Sequence, residues 1–210
     1  SEKITAGVVQ TDLFQDTTVQ KEAVNSIPEK KSTDKETTPP AVFPEGKNIH
    51  NTPHAYTAIS EAEELKAFVA KLLLQKEICF DTETTGLDAN DTELVGLSFS
   101  WKPGEAFYIP CPPGREKALA VLNYFQPLFA KKDITWVGQN IKFDMLVLKW
   151  YGIEIEGALF DTMLAHYVIE PDGKRSMDIL SERFLGYEPV HIEELIGKKG
   201  KTQGTMRDVE

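Results

Sequence analysis

Cysteine is scarce in this chain: two residues in 210, too few for a disulfide framework. Cys79 sits in an apolar run and Cys111 in a Pro-rich loop, so both read as reduced thiols of a cytosolic protein, not as a disulfide or a zinc site. Long apolar runs are missing as well. None approaches the ~20 residues that cross a bilayer, and no signal-peptide pattern opens the chain. Positive charge is in deficit, with 23 Lys and Arg against 33 Asp and Glu and a net charge of −10. That balance excludes a protein that coats nucleic acid by charge alone, but not an enzyme that meets nucleic acid through bound cations. The first residue is Ser, not Met, so a fragment or processed product is expected.

Residues 1–54 differ in composition from the rest. The stretch Ser26 to Pro40 is polar, charged and Pro-containing, and cannot bury enough apolar surface to order itself. A disordered linker is expected there, since about 50 residues is too long for a loop inside a compact domain. Residues 1–54 hold 6 basic and 8 acidic residues, so −8 of the net charge belongs to residues 55–210. Within the linker, Gln10, Leu13 and Phe14 have the spacing of a short peptide. It resembles those that bacterial replication proteins insert into a pocket of the sliding clamp.

The folded part is expected to open on a strand at Tyr56–Ile59, followed by a capping box at Ser60–Glu63. Leu65, Phe68, Val69, Leu72 and Leu73 then recur at helical spacing. A strand runs to Asp81, and residues 94–101 and 106–110 form a hairpin across Lys102-Pro103-Gly104. A second helix carries Ala118, Leu122, Phe125 and Leu128 and should end or kink at Pro127. Residues 134–137 form a fourth strand. A mixed sheet with helices packed on its faces follows from this order.

Two junctions carry chemistry. Asp81 and Glu83 follow Ile78-Cys79-Phe80 at i and i+2, which in a strand places both carboxylates on one face. Bare, they would repel each other, and a hard divalent cation suits such an oxygen site. The plainer reading is an acidic surface turn. After the fourth strand, Asn140 is placed to cap a helix, and Asp144 follows at i+4 on the same face. A strand end beside a helix start is where open α/β sheets gather ligands. The plainer reading of Asp144 is a solvated acid near a helix N-terminus.

Asp81 to Leu87 resembles the first motif of the DEDD 3′-5′ exonucleases, and Val137 to Asp144 resembles the second. Phe160 to Tyr167 and Met177 to Phe184 resemble segments of the proofreading domain of bacterial DNA polymerase I, family A. The likeness covers roughly residues 55–210. It implies a ribonuclease H-like three-layer α/β domain with a mixed central sheet, preceded by the linker where that family joins its 5′ nuclease. It implies removal of 3′-terminal nucleotides from frayed DNA, with two ions, Mg²⁺ or Mn²⁺, flanking the scissile phosphate. Asp81, Glu83 and Asp144 match three of the family's four metal-binding acids. Thr84, Gln139, Asn140 and Lys142 match positions near the terminal nucleotide, and Leu87 matches an apolar residue packed against a base. Lys174 and Arg175 are plausible phosphate contacts or a solvated basic turn. Asp161 is expected to cap its own helix, and His166 to be packed or at the surface. The implied parent is a DNA polymerase of the bacterial cytoplasm and nucleoid, with the polymerase domain C-terminal.

The family's third motif, Tyr-x-x-x-Asp, is absent from the sequence, so weak or no activity is expected of this stretch, and a chain cut short before that motif. Two alternatives accompany this reading. One is an exoribonuclease of the same superfamily; the other is a non-catalytic module that braces a polymerase.

Overall fold

The computed structural model describes residues 46–198, 200 and 203–209. Gln10, Leu13 and Phe14 lie outside them. The fold is a sheet of six strands with a two-stranded satellite. The strands are β1 (Lys47–Asn48), β2 (Ala55–Ala58), β3 (Glu77–Thr84), β4 (Leu94–Lys102), β5 (Glu105–Pro110), β6 (Thr135–Gly138), β7 (Ala158–Asp161) and β8 (Tyr187–Glu188). The helices are α1 (Ala62–Leu73), α2 (Arg115–Phe129), α3 (Ile141–Trp150), α4 (Thr162–Ile169), α5 (Met177–Leu185) and α6 (Ile192–Ile196), with a 3₁₀ turn at Met206–Asp208.

The main sheet has the order β2-β5-β4-β3-β6-β7. β3-β4 and β4-β5 pair antiparallel; β2-β5, β3-β6 and β6-β7 pair parallel. This is the mixed sheet expected, and β3 sits inside it with neighbours on both sides. Alternation along β3 decides its orientation. Ile78, Phe80 and Thr82 are buried on one face, and Cys79, Asp81 and Glu83 project from the other.

The core lies on the Phe80 face. There Phe80 meets Phe99, Phe129 and Trp136 at ring separations of 5.3–5.7 Å, and Phe68 of α1 packs on Phe99 and Phe107. Helices α1 and α2 supply Leu65, Leu72, Leu122, Phe125 and Leu128 to it. Helix α3 covers the same face further along, with Val147 and Leu148 buried. Helices α4 and α5 lie over the Cys79 face, where they line a cavity of about 570 Å³ with Val137 and Phe160. The three-layer, ribonuclease H-like arrangement is therefore present, with unequal outer layers. Every apolar residue of α5 retains some exposure, whereas α1 buries Leu65, Phe68, Val69 and Leu72, and α2 buries Ala118, Leu122, Phe125, Leu128 and Phe129.

Several local expectations are corrected. Composition places residues 46–54 in the linker, yet Lys47–Asn48 pairs in parallel with Tyr187–Glu188. Helix α1 has Glu61, not Ser60, at its N-cap, with no side-chain capping bond. Pro127 falls in the last turn of α2, which runs on to Phe129 because Leu128 and Phe129 are drawn into the core. The strand β7 went unread; its four residues are short and its outer side chains exposed. Gly152, at φ 80°, follows the C-cap Tyr151 and stops α3.

Candidate active site

Asp81 and Glu83 stand on the same face at the C-terminal end of β3, as the alternation requires. Their antiparallel neighbours on β4 are Ser98 and Gly96, small residues that leave both carboxylates room. A bulge between Glu83 and Thr84 then turns the strand into the following loop. Asp144 reaches the same strand end from α3. It is 1% exposed, and its Oδ1 accepts from Thr82 N at 2.8 Å and Thr82 Oγ1 at 2.6 Å. The small residue between the two acids thus holds the third, because its alternate position points it at α3. Sequence reading passed over Thr82; the available signal was a hydroxyl on the core face of a strand, which demands a partner.

Asp144 disturbs both carboxylates of β3. Burial pushes Asp81 up to about 7, and the charges of Asp144 and Glu83 push it the same way. Asp144 rises to about 6 through burial, held back by its bonds from Thr82. Glu83 is also raised, by burial and then by Asp144. A group of acids that resists ionising in ordinary conditions is one that a divalent cation would complete. The donors are all oxygen, which suits Mg²⁺ or Mn²⁺ and disfavours soft metals. Among the described residues no three or more His, Cys, Asp or Glu side chains are grouped so as to hold a metal ion, and Asp144 Oδ1 is already engaged by Thr82.

Replacing Thr82 with Val tests this support. The shape stays, one of two bonds to Asp144 goes, and the Asp144 carboxyl should rise further. A loss of about 1–3 kcal/mol is expected in urea unfolding at neutral pH, and an unchanged midpoint would show that the hydroxyl does not hold Asp144.

The other expected site residues divide. Leu87 is 97% exposed on its loop, an apolar side chain offered to solvent beside the acids. Thr84 turns inward, its hydroxyl donating to Gly86 O at 2.7 Å, and so shapes that loop. Gln139 lines the Asp81 cavity, but its side chain forms a bracket. Nε2 donates to Arg175 O at 2.7 Å, and Oε1 accepts from Thr162 Oγ1 at 2.5 Å. Asn140 does stand at the N-cap of α3, yet caps nothing. It takes a left-handed φ of 58°, and its N–H is bound by Asp161 Oδ1 at 3.1 Å. Asp161 caps α4 as expected, accepting from Met163 N at 2.9 Å and Leu164 N at 3.2 Å. Lys142 is exposed and lines a separate cavity with Met145 and Ile155. Lys174 is exposed, while Arg175 lies over the Tyr167 ring at 4.9 Å and donates to Pro171 O at 2.7 Å. His166 is packed, 6% exposed, with its ring in the wall of the Asp81 cavity.

Tyr108 was also missed. On β5 it pairs with Ser98 of β4, on the face of Asp81, and its ring leans over Gly96. A Cβ at Gly96 would fall 2.2 Å from the Tyr108 hydroxyl, so the glycine is what lets the phenol lie in the position across from Glu83.

Comparison with known proteins bears on this geometry. A family described as 3′-5′ exonuclease matches residues 56–207. The chain is 35% identical over 155 residues to DNA polymerase I of Pseudomonas aeruginosa, covering 70% of this chain and 17% of that protein. It is 36% identical over 147 residues to DNA polymerase I of Borreliella burgdorferi, covering 68% and 16%. The chain thus spans about a sixth of the length of these relatives. Among solved structures, Brucella melitensis NrnC with bound Mg²⁺ superimposes with a TM-score of 0.52 at 16% identity, over 71% of this chain and 69% of that one. At that identity the likeness is one of fold.

Proposed function

Because this chain belongs to the 3′-5′ exonuclease family of bacterial DNA polymerase I, we propose that it carries proofreading chemistry: hydrolysis of the 3′-terminal phosphodiester of DNA with release of a nucleoside monophosphate. The observation that carries the reading is the meeting of Asp81, Glu83 and Asp144 at one strand end, each short of a counter-charge.

Divalent ions held by Asp81, Glu83 and Asp144 would supply an activated water and stabilise the leaving 3′ oxygen. The chain's own residues do the rest. Thr82 keeps Asp144 turned toward β3. Ser98, opposite Asp81, keeps the strand surface low beside that acid, while the Tyr108 ring over Gly96 would form the wall beside Glu83. Leu87 offers an apolar side chain on which any base can pack, which suits removal of a mismatched terminus without base readout. Lys174, exposed beyond the Gln139 bracket, would meet phosphates of the incoming strand, and Arg175 would do so on leaving Pro171 O. In the parent protein this domain would edit for a polymerase domain in the same chain.

The test is cleavage of a 5′-labelled DNA strand with a 3′ mismatch, in Mg²⁺ and in Mn²⁺, beside Asp81→Ala. Slow stepwise shortening that vanishes in the variant is expected. Shortening that survives Asp81→Ala overturns the reading. Competing RNA against DNA in the same assay separates an exoribonuclease from a proofreading enzyme.

A further inference from the structure

The last described residues return to the sheet beside the acids. Gly204 N–H donates to Ile196 O at 2.8 Å, which ties this segment to α6. The turn that follows closes on itself, with Asp208 Oδ2 accepting from Thr205 N at 2.8 Å and from Thr205 Oγ1 at 2.9 Å. That leaves Arg207 to reach inward. Its Nη1 donates to Cys111 O at 3.2 Å, its Nη2 to Leu94 O at 2.9 Å, and Nη2 lies 3.4 Å from Glu93 Oε2.

These partners belong to separate stretches of chain. Leu94 begins β4, Cys111 follows β5, and Glu93 closes the loop that leaves β3. The loop hangs from Glu93. Thr85 N–H donates to Glu93 O at 3.0 Å, and Glu93 N–H to Thr85 Oγ1 at 3.0 Å. Inside it, Thr92 and Thr84 hydroxyls both donate to Gly86 O, at 3.3 Å and 2.7 Å. Glu83 lies at the bulged start of this loop and Leu87 on its exposed side. One guanidinium therefore secures the base of the loop from outside the strands that form it. The planar fork of Arg suits this task; the single ammonium of Lys cannot reach two carbonyls and a carboxylate in fixed directions.

We propose that Arg207 is a positioning residue, clasping Glu93, Leu94 and Cys111 so that the Leu87 loop keeps a fixed place relative to Asp81 and Glu83. The clasp stands on the hydrogen bonds above. Its consequence, that Leu87 meets the terminal base in register with the acids, rests on the exonuclease reading.

The experiment has two arms on the whole chain, with Arg207→Met and Arg207→Lys. Amide exchange followed by NMR should run about tenfold faster or more at Thr85 and Glu93 in Arg207→Met, while Phe80 and Phe99 keep their protection. Arg207→Lys should recover little of it, which a merely electrostatic role would not produce. Unchanged exchange at Thr85 and Glu93 overturns the clasp. On a 3′-mismatched DNA strand, KM should rise about tenfold in Arg207→Met with kcat within about twofold. Leu87→Ala should do the same, and the double variant should be no worse than either single one. Additive losses overturn the link to Leu87. Where the wild-type protein shortens no strand, the exchange arm alone decides the clasp.

Discussion

Asp81→Asn is expected to make the protein more stable at neutral pH and to abolish its response to divalent cations. Asp81 is pushed from an ordinary carboxyl value of 3.8 up to about 7 by burial and by Asp144 and Glu83. The sign follows from proton counting. Between about pH 4 and pH 7 the folded chain retains a proton that the unfolded chain has released, so stability falls as pH rises through that window. Asp144, raised to about 6, adds a loss in the same direction over a narrower range. Above pH 7 the folded chain carries ionised acids that its surroundings oppose, at a cost from Asp81 of up to about 4 kcal/mol. The neutral amide removes that cost, and a rise in Tm of roughly 5–10 °C at pH 7.5 should result.

Divalent cations would reverse the slope in the native protein. Bound by the ionised acids as proposed, millimolar Mg²⁺ or Mn²⁺ should raise Tm by a few degrees at pH 7.5 and hardly at all at pH 5. In Asp81→Asn the shift should disappear. Asp133 and Glu170 do not confuse the measurement. Lys131 with Lys76, and Arg183, hold them below their usual values, so their contribution is lost as pH falls below about 5, opposite in direction to that of Asp81. A native Tm that is level from pH 4.5 to 7.5, or a cation shift that survives Asp81→Asn, would contradict the site described above.

Trp136→Ala is the second large effect, on the opposite face. Trp136 is fully buried on β6, packed on Phe80 and Phe129 with ring separations of 5.7 Å and 5.5 Å. Its Nε1 donates to Glu156 O at 2.8 Å, which secures the chain as it turns into β7. The next residue, Gly157, has φ 103° and passes so close to Ile134 that a Cβ there would lie 2.6 Å from the Ile134 carbonyl. Removing the indole leaves a cavity under the central strand and an acceptor without its donor. A loss of about 3–5 kcal/mol is expected, a large share of the roughly 5–15 kcal/mol that stabilises a domain. It should be read from a lower urea midpoint at unchanged m. Trp136→Phe separates the two causes, since it restores most of the packing and none of the hydrogen bond. A loss under about 1 kcal/mol in Trp136→Ala would mean that the core closes over the gap.

The amino-acid sequence by itself determined whatever depends on neighbours along the chain. The period of two in Ile78, Phe80 and Thr82 sets one face of β3 against the core and delivers Asp81 and Glu83 to the other. Asp161 caps α4 because its acceptor need reach only two and three residues ahead. The spacing of Leu65, Phe68, Val69 and Leu72 likewise decides which side of α1 is buried.

Tertiary structure decided whatever depends on who arrives from far away. Asn140 has the side chain of a good cap, but Asp161 takes its N–H across the β6-β7 edge, and the backbone turns left-handed instead. Gln139 has the look of a ligand contact until Arg175 and Thr162 close on it. Lys47 and Asn48 read as linker because the strand that orders them lies about 140 residues ahead. Thr82, Tyr108 and Arg207 carry no local pattern at all. Thr82 matters because α3 brings Asp144 to it, Tyr108 because Gly96 lies beneath its ring, and Arg207 because three separate backbone stretches converge where its guanidinium ends. Local periodicity fixes which way a side chain points; only the packed chain determines what it finds there.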